Sequence, residues 1–156
     1  MKLKKGAKIS IDSMIFIYFF EVDERYIKNV DILFDQIESG KIKAVTSVIS
    51  LSETLSSSKL EQQKEKLMVF ENFFYKTPYL ETLDVSRDIA VEAAALRRKN
   101  KYLRLPDAVQ IATGIISGAD FFVTNDVRLE KLSIKGIKVV LITEIEDGNF
   151  VKVRIS

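Results

Sequence analysis

Neither cysteine nor histidine occurs among the 156 residues of this chain. Their absence removes disulfides, thiol nucleophiles, zinc centres of the Cys/His type and every acid–base mechanism that turns on an imidazole. Any catalysis must use carboxylates, hydroxyls, lysine or arginine. Nor is there an excess of charge of one sign. Lys and Arg number 24 against 22 Asp and Glu, a formal net charge of +2, so a polyanionic partner would have to be met by a local basic patch. A long hydrophobic run is missing as well. No window approaches the roughly 20 apolar residues that span a bilayer, so no membrane partner is expected. The start KLKKGAK–ISIDSMIFIYFF has the basic head and apolar middle of a secretion signal. Asp12 interrupts that run, however, no small-residue cleavage site follows, and Glu21, Asp23 and Glu24 turn the sequence acidic. A cytoplasmic location is expected. There is no internal repeat and no low-complexity linker. With 47% hydrophobic residues, the chain reads as one domain over residues 1–156 with enough apolar material for a continuous core.

What is present is an alternation of short β-rich runs with longer segments of helical period, the pattern of a mostly parallel sheet covered by helices on both faces. The strands expected are Ala7–Asp12, Ile42–Thr46, Thr82–Val85, Asp120–Thr124 and Ile137–Ile142, with Phe150–Ile155 as a last edge strand. Between them, Arg25–Glu38 sets Ile27, Val30, Leu33, Phe34 and Ile37 on one helical stripe. Lys59–Tyr75 opens charged and closes aromatic, Ser86–Lys99 is an alanine-rich helix, and Thr77–Pro78 punctuates the path between them.

Four acids stand out in apolar contexts: Asp12 in ISIDSM, Glu53 in SLSETL, Asp107 in RLPDAVQIATG and Asp126 in ADFFVTNDVRL. Asp12 and Asp126 fall where parallel strands deliver their carboxyl ends, the edge at which open α/β sheets bind ligands. Glu53 belongs to the helix after the second strand, whose start is marked by the hydroxyl-rich Thr46–Ser52. Pro106 suits a helix start, which leaves Asp107 in the first turn, facing out from a packed helix. Taken one at a time these acids have plainer uses: caps for Asp107 and Asp126, a turn for Asp12, a solvated helix position for Glu53. Convergence on one rim would instead crowd negative charges that a cation must neutralise. All-oxygen ligands favour Mg²⁺ or Mn²⁺, ions that keep waters and engage phosphates.

The runs ISIDSMIFIYFF, AVTSVISLSETL and RLPDAVQIATGIISGADFFVTND resemble PIN-domain nucleases, in particular the VapC-type toxins of prokaryotic toxin–antitoxin pairs. The resemblance spans essentially the whole chain, and the stretch from Asp107 to Thr124, Asn125 and Asp126 is its most specific part. One departure is Met14, where these proteins often carry a small polar residue two positions after the first acid; Ser13 is retained beside it. The resemblance implies a PIN-like α/β/α sandwich with a central mostly parallel sheet. It implies a metal-dependent endoribonuclease in which Asp12, Glu53, Asp107 and Asp126 hold Mg²⁺ or Mn²⁺. Attack by metal-activated water would leave 5′-phosphate and 3′-hydroxyl ends. Ser13, Thr124 and Asn125 are supporting candidates that orient water or serve turn hydrogen bonds.

For the RNA substrate, Arg97, Arg98, Lys99, Lys101 and Arg104 precede Asp107 and offer cations to phosphates. The first three equally complement the negative end of their own helix. Lys2, Lys4, Lys5 and Lys8 form a second basic cluster. The apolar residues of Met14–Phe20 and Phe70–Tyr75 offer either core packing or, as the resemblance implies, a surface for a homodimer or a small antitoxin. A non-toxin PIN nuclease of RNA processing or decay and a catalytically silent PIN scaffold share the same pattern. A receiver domain fits poorly because ISIDSM supplies one acid and not a pair. A haloacid-dehalogenase-like phosphatase fits poorly because Met14 stands where a second Asp is needed.

Overall fold

The computed structural model describes residues 3–146 and 149–150. Its centre is a parallel sheet of five strands, β1 (Lys8–Ile11), β2 (Lys43–Ser47), β3 (Leu80–Leu83), β4 (Phe121–Thr124) and β5 (Lys138–Leu141), in the spatial order β3-β2-β1-β4-β5. Seven α-helices accompany it among the described residues: α1 (Ser13–Glu21), α2 (Ile27–Glu38), α3 (Val48–Leu55), α4 (Lys64–Lys76), α5 (Arg87–Lys99), α6 (Leu105–Ile116) and α7 (Val127–Glu130). The expected α/β/α sandwich is the observed one, and its sheet is wholly parallel.

Alternate side chains of each strand feed opposite faces. Ile9, Ile11, Ala44 and Val123 join the apolar cluster built with α1, α2 and Phe74 of α4. Val45 and Phe122 join the one built with α5, α6 and Leu129. Because both faces are covered, strand positions are buried even where they are polar, as at Ser10, Thr46, Ser47 and Thr124. The first cluster is strongly aromatic: Phe16 stacks on Phe74 with centroids 4.4 Å apart, and Phe20 lies over Phe70 at 4.1 Å. Ile15, Phe16 and Phe74 are fully buried and Tyr18 nearly so. Much of the apolar sequence considered above as a partner surface is therefore core, and Tyr75 is the exposed ring of its segment.

Three local differences from the sequence expectations have physical causes. Helix α1 goes unannounced because it is apolar on nearly all sides and carries no helical stripe, as befits a helix packed on several sides. The segment from Lys59 divides into a 3₁₀ turn at Ser58–Leu60 and α4, with Gln62 between them at φ +63°. Leu60 is pinned in the core while its polar neighbours are exposed, and nothing in that polar run marks the break. Strand β3 begins two residues earlier than expected, since pairing with β2 starts at Ala44↔Leu80, where Leu80 is buried. At the C-terminal end Ile145–Glu146 (β6) pairs antiparallel with Asn149–Phe150 (β7). Beyond Phe150, the edge strand expected over Phe150–Ile155 lies outside the described residues.

The chain runs outward from β1 through β2 to β3, then returns to the other side of β1 at β4. The strand order thus reverses beside β1, the place where open α/β sheets form a crevice. Helix α6 is held against this point by a close approach. A Cβ on Gly114 would lie 2.8 Å from the Ser10 Cβ of β1 and 2.6 Å from the Ile137 Cδ1. Only glycine lets the helix sit so near, and its depth fixes where Gln110 and Asp107, one and two turns earlier, meet the sheet edge.

Candidate functional site

Asp12 immediately follows β1 and stands at the N-cap of α1, yet its side chain makes no capping hydrogen bond. The carboxylate turns inward instead. Oδ2 accepts from the Thr124 hydroxyl at 2.6 Å, and Oδ1 lies 3.2 Å from the Ser13 Oγ. The same Ser13 Oγ makes a short contact with Glu53 Oε2, which also accepts from Gln110 Nε2 at 3.2 Å. Gln110 is itself fixed, its Oε1 accepting from the Ser13 backbone N–H at 3.3 Å. One serine hydroxyl therefore stands between two carboxylates with a single proton to give.

The electrostatics follow from that shortage. Asp12 is 3% exposed, and its pKa is pushed up to about 6, chiefly by burial. The Thr124 hydrogen bond opposes the shift. The negative charge of Asp107 adds to it, the Ser13 bond again opposes, and Glu53 contributes a smaller repulsion. Asp12 thus feels both Asp107 and Glu53 across the end of the sheet, although the three come from separate elements.

The other two acids are arranged differently. Asp107, in the first turn of α6, is buried instead of facing out as expected, and Arg104 Nε holds its Oδ2 at 3.0 Å. The preceding turn folds Arg104 back over the helix start, so the carboxylate is covered by its own neighbour. Asp126 follows β4 and caps α7: Oδ1 accepts from the Arg128 N–H at 2.9 Å, and the Arg128 guanidinium closes on both oxygens at 3.0 and 2.6 Å. The guanidinium beside it holds the Asp126 carboxyl below the usual carboxylate range. The capping role weighed for Asp126 is real, and it coexists with a place on the rim. Its backbone N–H donates to Thr124 Oγ1 at 3.1 Å, the same hydroxyl that serves Asp12.

Among the described residues, no three acidic side chains stand close enough together, as arranged, to ligate one ion. The donor set still suits a hard cation. It is all oxygen, it includes a buried carboxylate short of donors, and Mg²⁺ ordinarily takes one or two carboxylates and keeps its waters.

Of the supporting candidates, Ser13 and Thr124 touch Asp12, whereas Asn125 donates to the Tyr18 hydroxyl at 3.0 Å. The basic run divides. Arg97 Nε bonds the Leu103 carbonyl at 3.1 Å and so ties down the loop after α5. With Arg98 it borders a hollow at Ala90 and Leu105. Lys99, Lys101 and Arg104 border a cavity of about 460 Å³ that reaches Asp107 and Arg128. In the N-terminal basic cluster, Lys8 is held by the Ser117 carbonyl at 2.6 Å. A second groove, of about 630 Å³, runs from Glu53 along Ile17, Phe20, Leu60 and Phe70 and is edged by Lys59 and Lys66.

Sequence reading missed Gln110 and Arg128. Gln110 is three residues from Asp107 on one helix face, the spacing that aligns side chains, and this was the available signal. Arg128 is two residues from Asp126 and becomes visible as a partner only once the short α7 is known.

Comparisons with known proteins bear on the fold and the family. The PIN domain family model matches residues 9–135. The chain is similar to DNA-bound VapBC from Salmonella typhimurium, with TM-score 0.63, 21% identity, and 88% of this chain and 98% of that one covered. It is similar to VapBC2 from Rickettsia felis bound to a DNA fragment from its promoter, with TM-score 0.61, 20% identity, and 86% and 98% covered. It is also similar to VapC20 of Mycobacterium tuberculosis, a toxin that cleaves the sarcin–ricin loop, with TM-score 0.60, 14% identity, and 81% and 97% covered. No curated protein sequence matches the chain. At these identities the structures speak for a shared fold, and the family model decides the assignment: the chain belongs to the PIN domain family.

Proposed function

We propose that this protein is a divalent-metal-dependent endoribonuclease, the toxin of a VapBC-type pair. The observation that carries the reading is Asp12, a buried carboxylate beside Glu53 and Asp107 with one shared hydroxyl proton and no cation of its own. Asp12 and Glu53 would hold a Mg²⁺ or Mn²⁺ ion, with Asp107 and Asp126 completing the ligand set directly or through water. Such an ion supplies a Lewis-acid charge and a water of lowered pKa.

The chain's own residues do the rest. Thr124 fixes Asp12 through Oδ2 and leaves Oδ1 directed toward Ser13 and Glu53. Gln110 and Ser13 both donate to Glu53 Oε2 and so orient it. Arg104 and Arg128, which pair with Asp107 and Asp126 here, would be available to substrate phosphate if those carboxylates served an ion instead. Attack by water, without use of the ribose 2′-hydroxyl, gives 5′-phosphate and 3′-hydroxyl ends.

The toxin assignment rests on the likeness to VapC-containing complexes and on the apolar groove that starts at Glu53. An antitoxin segment lying there would place a basic side chain among the carboxylates and exclude the metal. A homodimer in the cytoplasm is part of the same reading. No helix among the described residues is long and apolar enough to cross a membrane.

The test is cleavage of structured and single-stranded RNAs with Mg²⁺, Mn²⁺ or EDTA, comparing wild type with Asp107→Asn and identifying product ends. Metal-dependent cleavage to 5′-phosphate ends, lost in the variant, is expected. Cleavage in EDTA, or 2′,3′-cyclic phosphate ends, would refute the chemistry.

A further inference from the structure

Tyr102 is 98% exposed, the most exposed of the large hydrophobic side chains among the described residues. A ring left in water contributes almost nothing to stability, so core packing does not explain it. It sits on the rim of the cavity of about 460 Å³ whose apolar lining comes from Leu103, Leu129 and Leu132. Lys101, Arg104 and Arg128 stand around the same opening, and the one acid in the lining is Asp107. An aromatic face, an apolar floor and a cationic rim are the components that receive an unstacked base together with its flanking phosphates.

We propose that this cavity is a nucleotide subsite for single-stranded RNA, in which one base stacks on Tyr102 over the leucine floor while adjoining phosphates meet Lys101, Arg104 and Arg128. The inference rests on the ribonuclease reading and deepens it, by naming a residue that would hold and discriminate the base. Continuity carries the argument: the cavity wall includes Asp107, so a strand seated there leads straight onto the acidic edge. A duplex presents no free base face to the ring and is excluded from the stack. Charge complementarity selects a polyanion over an apolar peptide, since cations outnumber acids around the opening.

The chain contains no tryptophan, so Tyr102→Trp introduces a single fluorescent reporter at the subsite. Binding of labelled single-stranded and duplex RNA would be measured with Ca²⁺ supplied in place of Mg²⁺ to neutralise the carboxylates. Tyr102→Ala is expected to weaken single-stranded binding about fivefold or more, the lower end of what one base stack is worth. It should leave duplex binding unchanged. Tyr102→Trp is expected to restore affinity, with its emission quenched by single-stranded RNA and unaffected by duplex. Equal affinities for wild type and Tyr102→Ala, alongside normal cleavage by the wild type, would overturn the subsite and spare the nuclease. No RNA binding or cleavage by the wild type would overturn both. An emission change with a leucine-bearing peptide and none with RNA would assign the cavity to a protein partner and overturn the proposal.

Discussion

The two halves of the acidic edge solve the same electrostatic problem differently. Asp12 and Glu53 are served by neutral donors, the hydroxyls of Thr124 and Ser13 and the amide of Gln110. Asp107 and Asp126 each hold an arginine supplied from three or two residues away. At Asp126 the Arg128 guanidinium stabilises the carboxyl as the anion, as its lowered pKa records. At Asp12, where the chain provides no cation and burial is deep, the anion is penalised, as the raised pKa records. In the proposed function, this contrast is the reason for assigning the external cation to Asp12, with Glu53 beside it.

The largest expected effect from breaking this contrast is on catalysis. Asp12→Asn should lower RNA cleavage about a thousandfold, equivalent to about 4 kcal/mol of lost transition-state stabilisation. Single-turnover assays with Mn²⁺ would show it, and a variant retaining more than a tenth of wild-type activity would remove Asp12 from the mechanism.

The same substitution should raise stability. Holding Asp12 charged at neutral pH costs the fold about 3 kcal/mol, from a pKa raised from 3.8 to about 6. Between those two values the folded protein keeps a proton that the unfolded chain has released. The group's contribution is therefore fully favourable below about pH 4 and declines as pH rises through about 6. Urea denaturation in EDTA across pH 4–8 should show that decline in the wild type and lose it in Asp12→Asn. A divalent ion should flatten it as well.

A smaller effect tests the scaffold that brings the two halves together. Gly114→Ala inserts a methyl against Ser10 and should cost about 1–3 kcal/mol in denaturation experiments, the usual range for overpacking. It should also loosen the Gln110 contact to Glu53, because α6 must withdraw from β1. The smallest effect is expected from Arg128→Gln, whose guanidinium is largely solvent-exposed, so that water and salt screen the ion pair. Its pH signature has the opposite sign to that of Asp12. The Asp126 contribution is present above pH 4 and lost as pH falls through its lowered pKa, so acid titration of the variant should be shallower than that of the wild type.

Much of this arrangement was legible in the sequence. Strand-ending acids such as Asp12 and Asp126 can be placed because a β-rich run fixes where the sheet edge falls, and Asp107 because Pro106 marks a helix start. The division of labour among the acids was not legible. The Gln110 contact to Glu53 depends on how α6 sits against β1, and that depth is set by Gly114 packing on Ser10, a contact between residues 104 positions apart in sequence. Helix α1 escaped for a related reason, since a helix surrounded by core has no polar face to announce its period.

The account's central claim is tested most directly by titrating Mn²⁺ into metal-free protein at neutral pH and following binding by calorimetry alongside the thermal midpoint. It predicts saturable binding that raises the midpoint of the wild type and is lost in Asp12→Asn, while Arg128→Gln binds at least as tightly as the wild type. Equal binding by wild type and Asp12→Asn, or no binding by the wild type, would contradict it.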